Sequence, residues 1–157
     1  MKNAMRWLEK RLPPVIVVAL FGVLSWAIAR RWPGPGWSES VGWWISVALG
    51  SVGVMVVVAG IIAFRRAGTT VDPTRPEAAS ALVVSGIFRY TRNPMYLGFA
   101  VLLTAWAVKQ ASLWALLAVP LCVLYLDRFQ IRPEERALRR RFAAQFDAYC
   151  RRVRRWF

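Results

Sequence analysis

The chain has 157 residues, 57% of them hydrophobic, and its mean hydropathy is positive at +0.39. Ordinary soluble domains have an apolar share of about 45–50% even with glycine counted, so this composition excludes that class and indicates a single membrane-embedded unit. The 22 Lys and Arg residues outnumber 8 acidic residues and there is no histidine, so we expect neither a metal site nor a histidine-based catalytic triad.

The first apolar run covers residues 12–29. Lys10-Arg11 precede it and Arg30-Arg31 follow it. At about 1.5 Å per residue it nearly spans the hydrocarbon core of a bilayer. The tripeptide Ala27-Ile28-Ala29 resembles a signal-peptide cleavage site, which is the alternative interpretation. The run exceeds the usual apolar region of a signal peptide, about 7–15 residues, so we predict a retained transmembrane helix.

The second apolar run covers residues 41–64, contains no charge and is closed by Arg65-Arg66. Its length and composition make it the clearest transmembrane helix of the chain. Between the two runs, residues 32–37 alternate Pro and Gly between two Trp, a pattern typical of a tight loop at the headgroup interface.

Two shorter apolar runs, residues 95–108 and 113–126, are separated by four residues that include Lys109. They predict a helical hairpin, and Pro120 should kink its second helix. The chain is therefore expected to be all-α, a polytopic bundle of four transmembrane helices.

Positive charge predicts the orientation of this bundle. With the N-terminus inside, 19 of the 22 Lys and Arg residues lie on the cytoplasmic side, and only Arg30, Arg31 and Lys109 lie outside. Because cytoplasmic segments collect Lys and Arg, both termini should be cytoplasmic.

The segment from Pro133 onward predicts an amphipathic cytoplasmic helix. Apolar residues recur at helical spacing, namely Leu138, Phe142, Phe146, Tyr149 and Val153, while arginines fill the other faces. Pro133 suits the first helical position, and the two glutamates after it favour the positive end of a helix dipole. Such a helix should lie along the anionic leaflet or fold back over the bundle.

Two segments contain the residue types that chemistry would need. The first is Gly86-x-Phe88-Arg89-x-x-Arg92-Asn93-Pro94-x-Tyr96-x-Gly98, and the second is Glu134-Glu135 with Leu138, Phe142, Tyr149, Val153 and the ending Arg154-Arg155-Trp156. Taken singly, the arginines could simply anchor a helix start, and the glutamates could be helix-capping charge. Together the segments resemble the isoprenylcysteine carboxyl methyltransferase family, which is related to the phospholipid methyltransferases.

The resemblance implies a membrane methyltransferase that uses S-adenosylmethionine. The residues matching the family's catalytic positions are Arg89, Arg92, Asn93 and Tyr96, and those matching its cofactor-binding positions are Gly86, Tyr96, Gly98, Glu134, Glu135 and Tyr149. On this hypothesis the two glutamates bind the donor and Arg89 positions the acceptor. Many family members have His at the position of Asn93 and Gly at that of Ala143, so Asn93 is better suited to orienting a ligand than to proton transfer.

The expected acceptor is lipophilic, either a carboxylate such as a prenylcysteine-like group or a lipid, at the cytoplasmic face of a prokaryotic membrane. A carboxylate needs no general base, whereas an amine, alcohol or thiol would have to lose its proton to Glu134, Glu135, Asp127 or Tyr96. The alternative function is a non-enzymatic membrane module that binds anionic lipid or a protein partner through its basic C-terminal helix. Nucleic acid is not an expected partner, because the arginines follow the membrane side.

The whole chain is predicted to be one domain. Residues 1–66 would supply two transmembrane helices, and residues 67–157 would form the cofactor-binding core with the hairpin and the C-terminal helix. Thr70 and Pro73 are further candidates for closing the pocket, and Tyr125 for facing it. The two cysteines, Cys122 and Cys150, show neither C-x-x-C nor zinc-ligand spacing, and no disulfide between them is expected.

Overall fold

The computed structural model describes residues 12–68 and 81–157, and within these ranges every regular element is helical. The α-helices are α1 (Pro14–Arg31), α2 (Glu39–Arg66), α3 (Pro94–Lys109), α4 (Ala118–Leu126) and α5 (Arg132–Arg152). Short 3-10 helices cover Gly86–Arg89 and Leu113–Leu117, and a π-helical turn at Asp127–Ile131 joins α4 directly to α5. The prediction of an all-α chain is confirmed.

Three segments are long and apolar enough to cross a bilayer, judged by length and composition: Pro14–Arg31, Glu39–Arg66 and Leu113–Arg152. The helix α3 is also apolar, but its 16 residues make it shorter than these three. Four crossings and cytoplasmic termini therefore stay predictions.

Hydrogen bonds at both ends of α1 show how the helices are oriented relative to one another. The hydroxyl of Ser112, after α3, donates to the carbonyl of Trp32, after α1, over 3.2 Å. At the opposite end, the buried side-chain amide of Gln130 in the π-helical turn donates to the carbonyl of Leu12 over 2.7 Å. The start of α1 and the end of α4 consequently lie at the same end of the bundle.

The helices α2 and α3 approach each other most closely at two glycines. A Cβ atom added to Gly98 would lie 2.5 Å from Cγ2 of Val57 and 2.9 Å from the carbonyl oxygen of Gly53. A Cβ atom added to Gly53 would in turn lie 3.1 Å from the carbonyl oxygen of Gly98. Small residues allow backbones to approach in this way in membrane helix pairs. Gly98 therefore allows α3 to pack against α2.

Two hydrophobic clusters occupy the end of the bundle where α3 begins. The first core consists of Val17, Tyr96, Leu103, Cys122, Leu126 and Ile131, with Trp156 packed against it. The second core consists of Ala63, Val83, Phe88, Phe146, Tyr149 and Val153. The second core fixes α5 against the end of α2 and against the segment that leads into α3.

Two local details differ from the sequence-based expectation. The structure accommodates Pro120 by starting the α-helix at Ala118, after a 3-10 helix, rather than by kinking a longer helix. Pro120 thus lies in the first turn of α4, where its missing N–H costs no helical hydrogen bond. The amphipathic helix α5 is interrupted at Ala143, whose φ is +37°.

Candidate active site

The two segments singled out in the sequence meet in the structure. The hydroxyl of Tyr96, in the first turn of α3, donates to Oε2 of Glu134 over 3.1 Å. The guanidinium of Arg92 lies 3.3 Å from Oε1 of Glu135, and both of these side chains are largely buried. Residues far apart in the sequence therefore form one polar cluster at the junction of α3 and α5.

Local structure explains how the residues of each segment are presented. Pro94 occupies the first turn of α3, where its fixed φ suits a helix start, and Asn93 precedes it in a non-helical conformation. Glu134 and Glu135 follow a π-helical turn that continues α4 without a break, so they are not at a free helix start. Pro133 and both glutamates do lie in the first turn of α5, as expected, and stabilisation of the glutamates by the helix dipole stays a prediction.

Arginine contacts stabilise the second glutamate. Arg155 donates from Nε to Oε1 and from Nη2 to Oε2 of Glu135, over 3.1 and 2.6 Å. Its remaining terminal nitrogen, Nη1, donates to Asp127 over 2.9 Å, and Arg132 donates to the other oxygen of Asp127 over 2.7 Å. The hydrogen bond to Glu135 raises the pKa of Arg155 above its ordinary value, so this arginine stays charged.

The backbone of the C-terminal residues is bonded to the segment before α3. The carbonyl of Arg155 accepts from the side-chain amide of Asn93 over 3.0 Å and from the hydroxyl of Thr91 over 3.2 Å. The amide N–H of Arg92 donates to the carbonyl of Arg154 over 3.1 Å. Asn93 and Thr91 are both buried. The amide of Asn93 therefore positions the chain end, which agrees with a role in orientation.

Arg92 is surrounded by groups that leave one of its donors unused. Its Nη1 donates to the sulfur of Cys150, and its Nη2 pairs with Glu135. Its Nε is buried and has no hydrogen-bond partner among the residues that the structure describes. A buried unpaired donor costs about 1–3 kcal/mol, so an acceptor atom brought by a ligand would be favoured beside Arg92.

Two of the predicted residues, Arg89 and Gly86, lie at the 3-10 helix before α3. Arg89 ends that helix with an exposed side chain, where it could reach a molecule outside the cluster. Gly86 begins it with φ of +60°, a conformation that favours glycine. The structure thus supplies a backbone reason for Gly86 that does not require a cofactor.

Two predicted cofactor-binding residues make packing contacts outside the hydrogen bonds of the polar cluster. Tyr149 is buried in the second core, and its hydroxyl donates to the carbonyl of Phe88 over 2.7 Å. Gly98 faces Gly53 of α2. Packing explains both residues, and their cofactor-binding role stays a prediction. Thr70 and Pro73 lie outside the described residues.

Sequence reasoning included Arg155 in the second segment without giving it a role, missed Thr91, and gave Asp127 only a secondary place. One available signal was the distribution of acidic residues, because three of the eight in the chain, Asp127, Glu134 and Glu135, fall within nine positions. Closely spaced acids near a membrane need cationic partners. Which arginines supply them is decided by the tertiary fold.

An apolar groove runs between α1 and α3, with a volume of about 480 Å³. Its lining residues are Val18, Ala19, Gly22, Val23, Trp26, Leu102, Leu103 and Trp106. Leu103 also packs in the first core with Tyr96, so the groove lies on the same helix face as the polar cluster. The indole N–H of Trp106 donates to the carbonyl of Gly22 over 3.0 Å, which leaves a groove surface that is almost entirely apolar.

Comparisons with known proteins identify the family of the chain. A family model described as phospholipid methyltransferase matches residues 41–145, about two thirds of the chain, including α2, α3, α4 and both glutamates. An uncharacterized protein from Haemophilus influenzae is 36% identical over 62 residues, which are 40% of this chain and 98% of that relative. No solved structure matches.

Proposed function

The chain belongs to the phospholipid methyltransferase family, a family of membrane methyltransferases, and we propose that it transfers a methyl group from S-adenosylmethionine to a lipophilic acceptor. The observation behind this proposal is the meeting of Tyr96 and Arg92 with Glu134 and Glu135. Carboxylates suit the sulfonium and ammonium groups of the donor by simple charge attraction.

The geometry divides the roles of the two glutamates. Both oxygens of Glu135 accept hydrogen bonds from Arg155, and Oε1 also pairs with Arg92, so we assign Glu135 to organising the site. We assign donor binding to Glu134 together with Tyr96. Arg92, with its unpaired Nε, would then hold an anionic or carbonyl group of donor or acceptor.

Methyl transfer from a sulfonium is an in-line displacement, in which the carbon–sulfur bond breaks as the bond to the acceptor forms. The protein mainly has to hold the two reactants in a near-attack arrangement away from water. Tyr96 lies within the first core and supports such a dry site. A carboxylate acceptor would need no general base, and we assign its pairing to Arg89, whose side chain is exposed.

A lipophilic acceptor is supported by the apolar groove between α1 and α3. A chain lying there would contact Leu103, which packs with Tyr96. The bias of Lys and Arg toward one side favours a cytoplasmic site in a prokaryotic membrane. The non-enzymatic alternative predicts that neither donor binding nor methyl transfer occurs.

Calorimetry of purified protein tests donor binding. We expect Glu134→Gln and Arg92→Gln to weaken binding of S-adenosylmethionine by about tenfold or more, since each removes a charged contact of about 1.5–3 kcal/mol. Asp147→Asn is the matched control, because the exposed Asp147 forms its ion pair with the exposed Arg139 and not with a residue of the cluster. Wild-type affinity in both site variants would refute the assignment.

Incubating membranes with donor labelled in its methyl group tests the reaction and identifies the acceptor class. Label in an extracted lipid fraction supports a lipid acceptor. Base-labile label supports a carboxyl ester. Absence of both donor binding and methyl transfer would favour the alternative of a membrane module.

A further inference from the structure

Arg155 uses its whole guanidinium on two acidic side chains. Nε and Nη2 form a two-pronged contact with Glu135, and Nη1 binds Asp127. Only 13% and 14% of the Glu135 and Asp127 side chains are exposed, so water solvates these carboxylates poorly. A planar guanidinium matches a carboxylate in this two-pronged way, whereas an ammonium group does not.

The chain on both sides of Arg155 is fixed in place. Val153 is buried in the second core, and Trp156 packs against the first core. Between them, the carbonyl of Arg155 accepts from Asn93 and Thr91. The position of the guanidinium is therefore determined by its own backbone and by both hydrophobic clusters, and it does not depend on the ion pairs alone.

Arg155 offsets negative charge in the cluster. The carboxylates of Asp127 and Glu135 pair with Arg92, Arg132 and Arg155, and Glu134 joins the same cluster through Tyr96. Without Arg155 the cluster would be more negative by one unit charge. A cationic sulfonium and a neutral thioether would respond differently to that change, because only the sulfonium gains Coulomb attraction.

We propose that Arg155 is a positioning residue of the donor site, which orients Arg92 through Glu135 and offsets the negative charge of the acids, so that the product with its neutral sulfur can also bind. This inference rests on the proposed function, because it takes S-adenosylmethionine as the donor. It assigns a role to the C-terminal segment that lies beyond the residues matched by the family.

The test compares affinities for the cationic donor and for its neutral-sulfur product, S-adenosylhomocysteine, by calorimetry on the purified full chain. In Arg155→Gln the site gains negative charge, so the ratio of product to donor dissociation constants should rise about threefold to tenfold, as expected for one unit charge at a partly hydrated site. Arg152→Gln is the matched control, because its exposed side chain ends α5 outside the cluster. It should leave the ratio unchanged.

Two further variants separate charge from geometry. Arg155→Lys keeps the charge but loses the two-pronged contact, so both affinities should fall while their ratio stays at the wild-type value. The double variant Arg155→Gln/Glu135→Gln restores the charge balance, so its ratio should return to wild type. The single variant Glu135→Gln should shift the ratio in the opposite direction. If Arg155→Gln does not fold, the single variant Glu135→Gln still decides the question, because the charge effect predicts a lower ratio for it and a merely structural role predicts an unchanged one.

A merely structural role for Arg155 predicts a different result. In that case all variants would lower donor and product affinities by the same factor, and an unchanged ratio in both Arg155→Gln and Glu135→Gln would overturn the inference. Failure of the wild-type protein to bind either compound would instead overturn the proposed function, and the inference with it. The two failures are therefore distinguishable in one set of measurements.

Discussion

Substituting Gly98 by alanine distinguishes helix packing from cofactor binding at this position. The added Cβ would meet the Val57 side chain at 2.5 Å and the backbone oxygen of Gly53 at 2.9 Å. The valine could rotate, but the carbonyl oxygen belongs to the backbone of α2. We therefore expect the two helices to be forced apart.

The magnitude follows from two opposing effects. Alanine is a better helix former than glycine by about 1 kcal/mol, which favours the substitution. Overpacking a close-packed contact costs about 1–3 kcal/mol, and more where only backbone can yield. For Gly98→Ala we expect a net loss of about 1–2 kcal/mol. For a chain of this length that lowers the thermal midpoint by about 2–8 °C.

The same helix pair supplies a matched control. Gly50 lies in α2, and an added Cβ there would have no neighbouring atom within 4 Å. Gly50→Ala should therefore be neutral or stabilise the protein by up to about 1 kcal/mol. Thermal midpoints of the purified variants in detergent, with donor affinity measured well below the midpoint, provide both quantities.

The outcome decides between two roles of Gly98. Packing predicts a lower midpoint with donor affinity near wild type in the folded protein. Cofactor contact predicts an unchanged midpoint with affinity reduced about tenfold or more. The second result would refute the structural reasoning and restore the role that the family resemblance implies.

Four further substitutions test other parts of the fold. Ala143→Gly should raise the thermal midpoint, because the positive φ at this position costs a residue with a Cβ about 1–2 kcal/mol. The greater conformational entropy of glycine in the unfolded chain should cancel about half of that gain. Ala144→Gly, at an exposed helical neighbour, should lower the midpoint. Tyr149→Phe removes the hydroxyl that donates to the carbonyl of Phe88, and should lower the free energy of unfolding by about 1–3 kcal/mol. A loss of donor affinity with unchanged stability would instead support a cofactor-binding role for Tyr149. Arg139→Gln removes an exposed ion pair and should change stability by less than about 0.5 kcal/mol in chemical unfolding.

The helices were predictable because charge and apolarity change sharply along the chain. Arginine pairs close the first two apolar runs, and the observed α1 and α2 end within two residues of the predicted limits. The continuity of α4 and α5 was not predictable. Pro133 and the arginines around it favour a helix start, whereas in the structure a π-helical turn joins the two helices and its Gln130 makes a tertiary hydrogen bond to the carbonyl of Leu12.

The site was predictable only where the residues themselves have chemical character. Arg92, Tyr96 and the two glutamates stood out by type and spacing, and the structure brings them together. Gly98 and Tyr149 share a family pattern, but their contacts are decided by which residue lies opposite them. Neither Gly53 nor the carbonyl of Phe88 could be identified as a partner from the sequence.

Arg155 shows why counting arginines by membrane side is insufficient. Ten arginines follow residue 127, and the positive-inside pattern treats them alike. Burial distinguishes among these arginines, because a buried charge without a partner of opposite charge is strongly destabilising. The acids Asp127 and Glu135 therefore require cations, and the tertiary fold supplies Arg155 to both. If this balance governs donor binding, substitutions that neutralise an acid and those that neutralise a base must change donor-over-product selectivity in opposite directions.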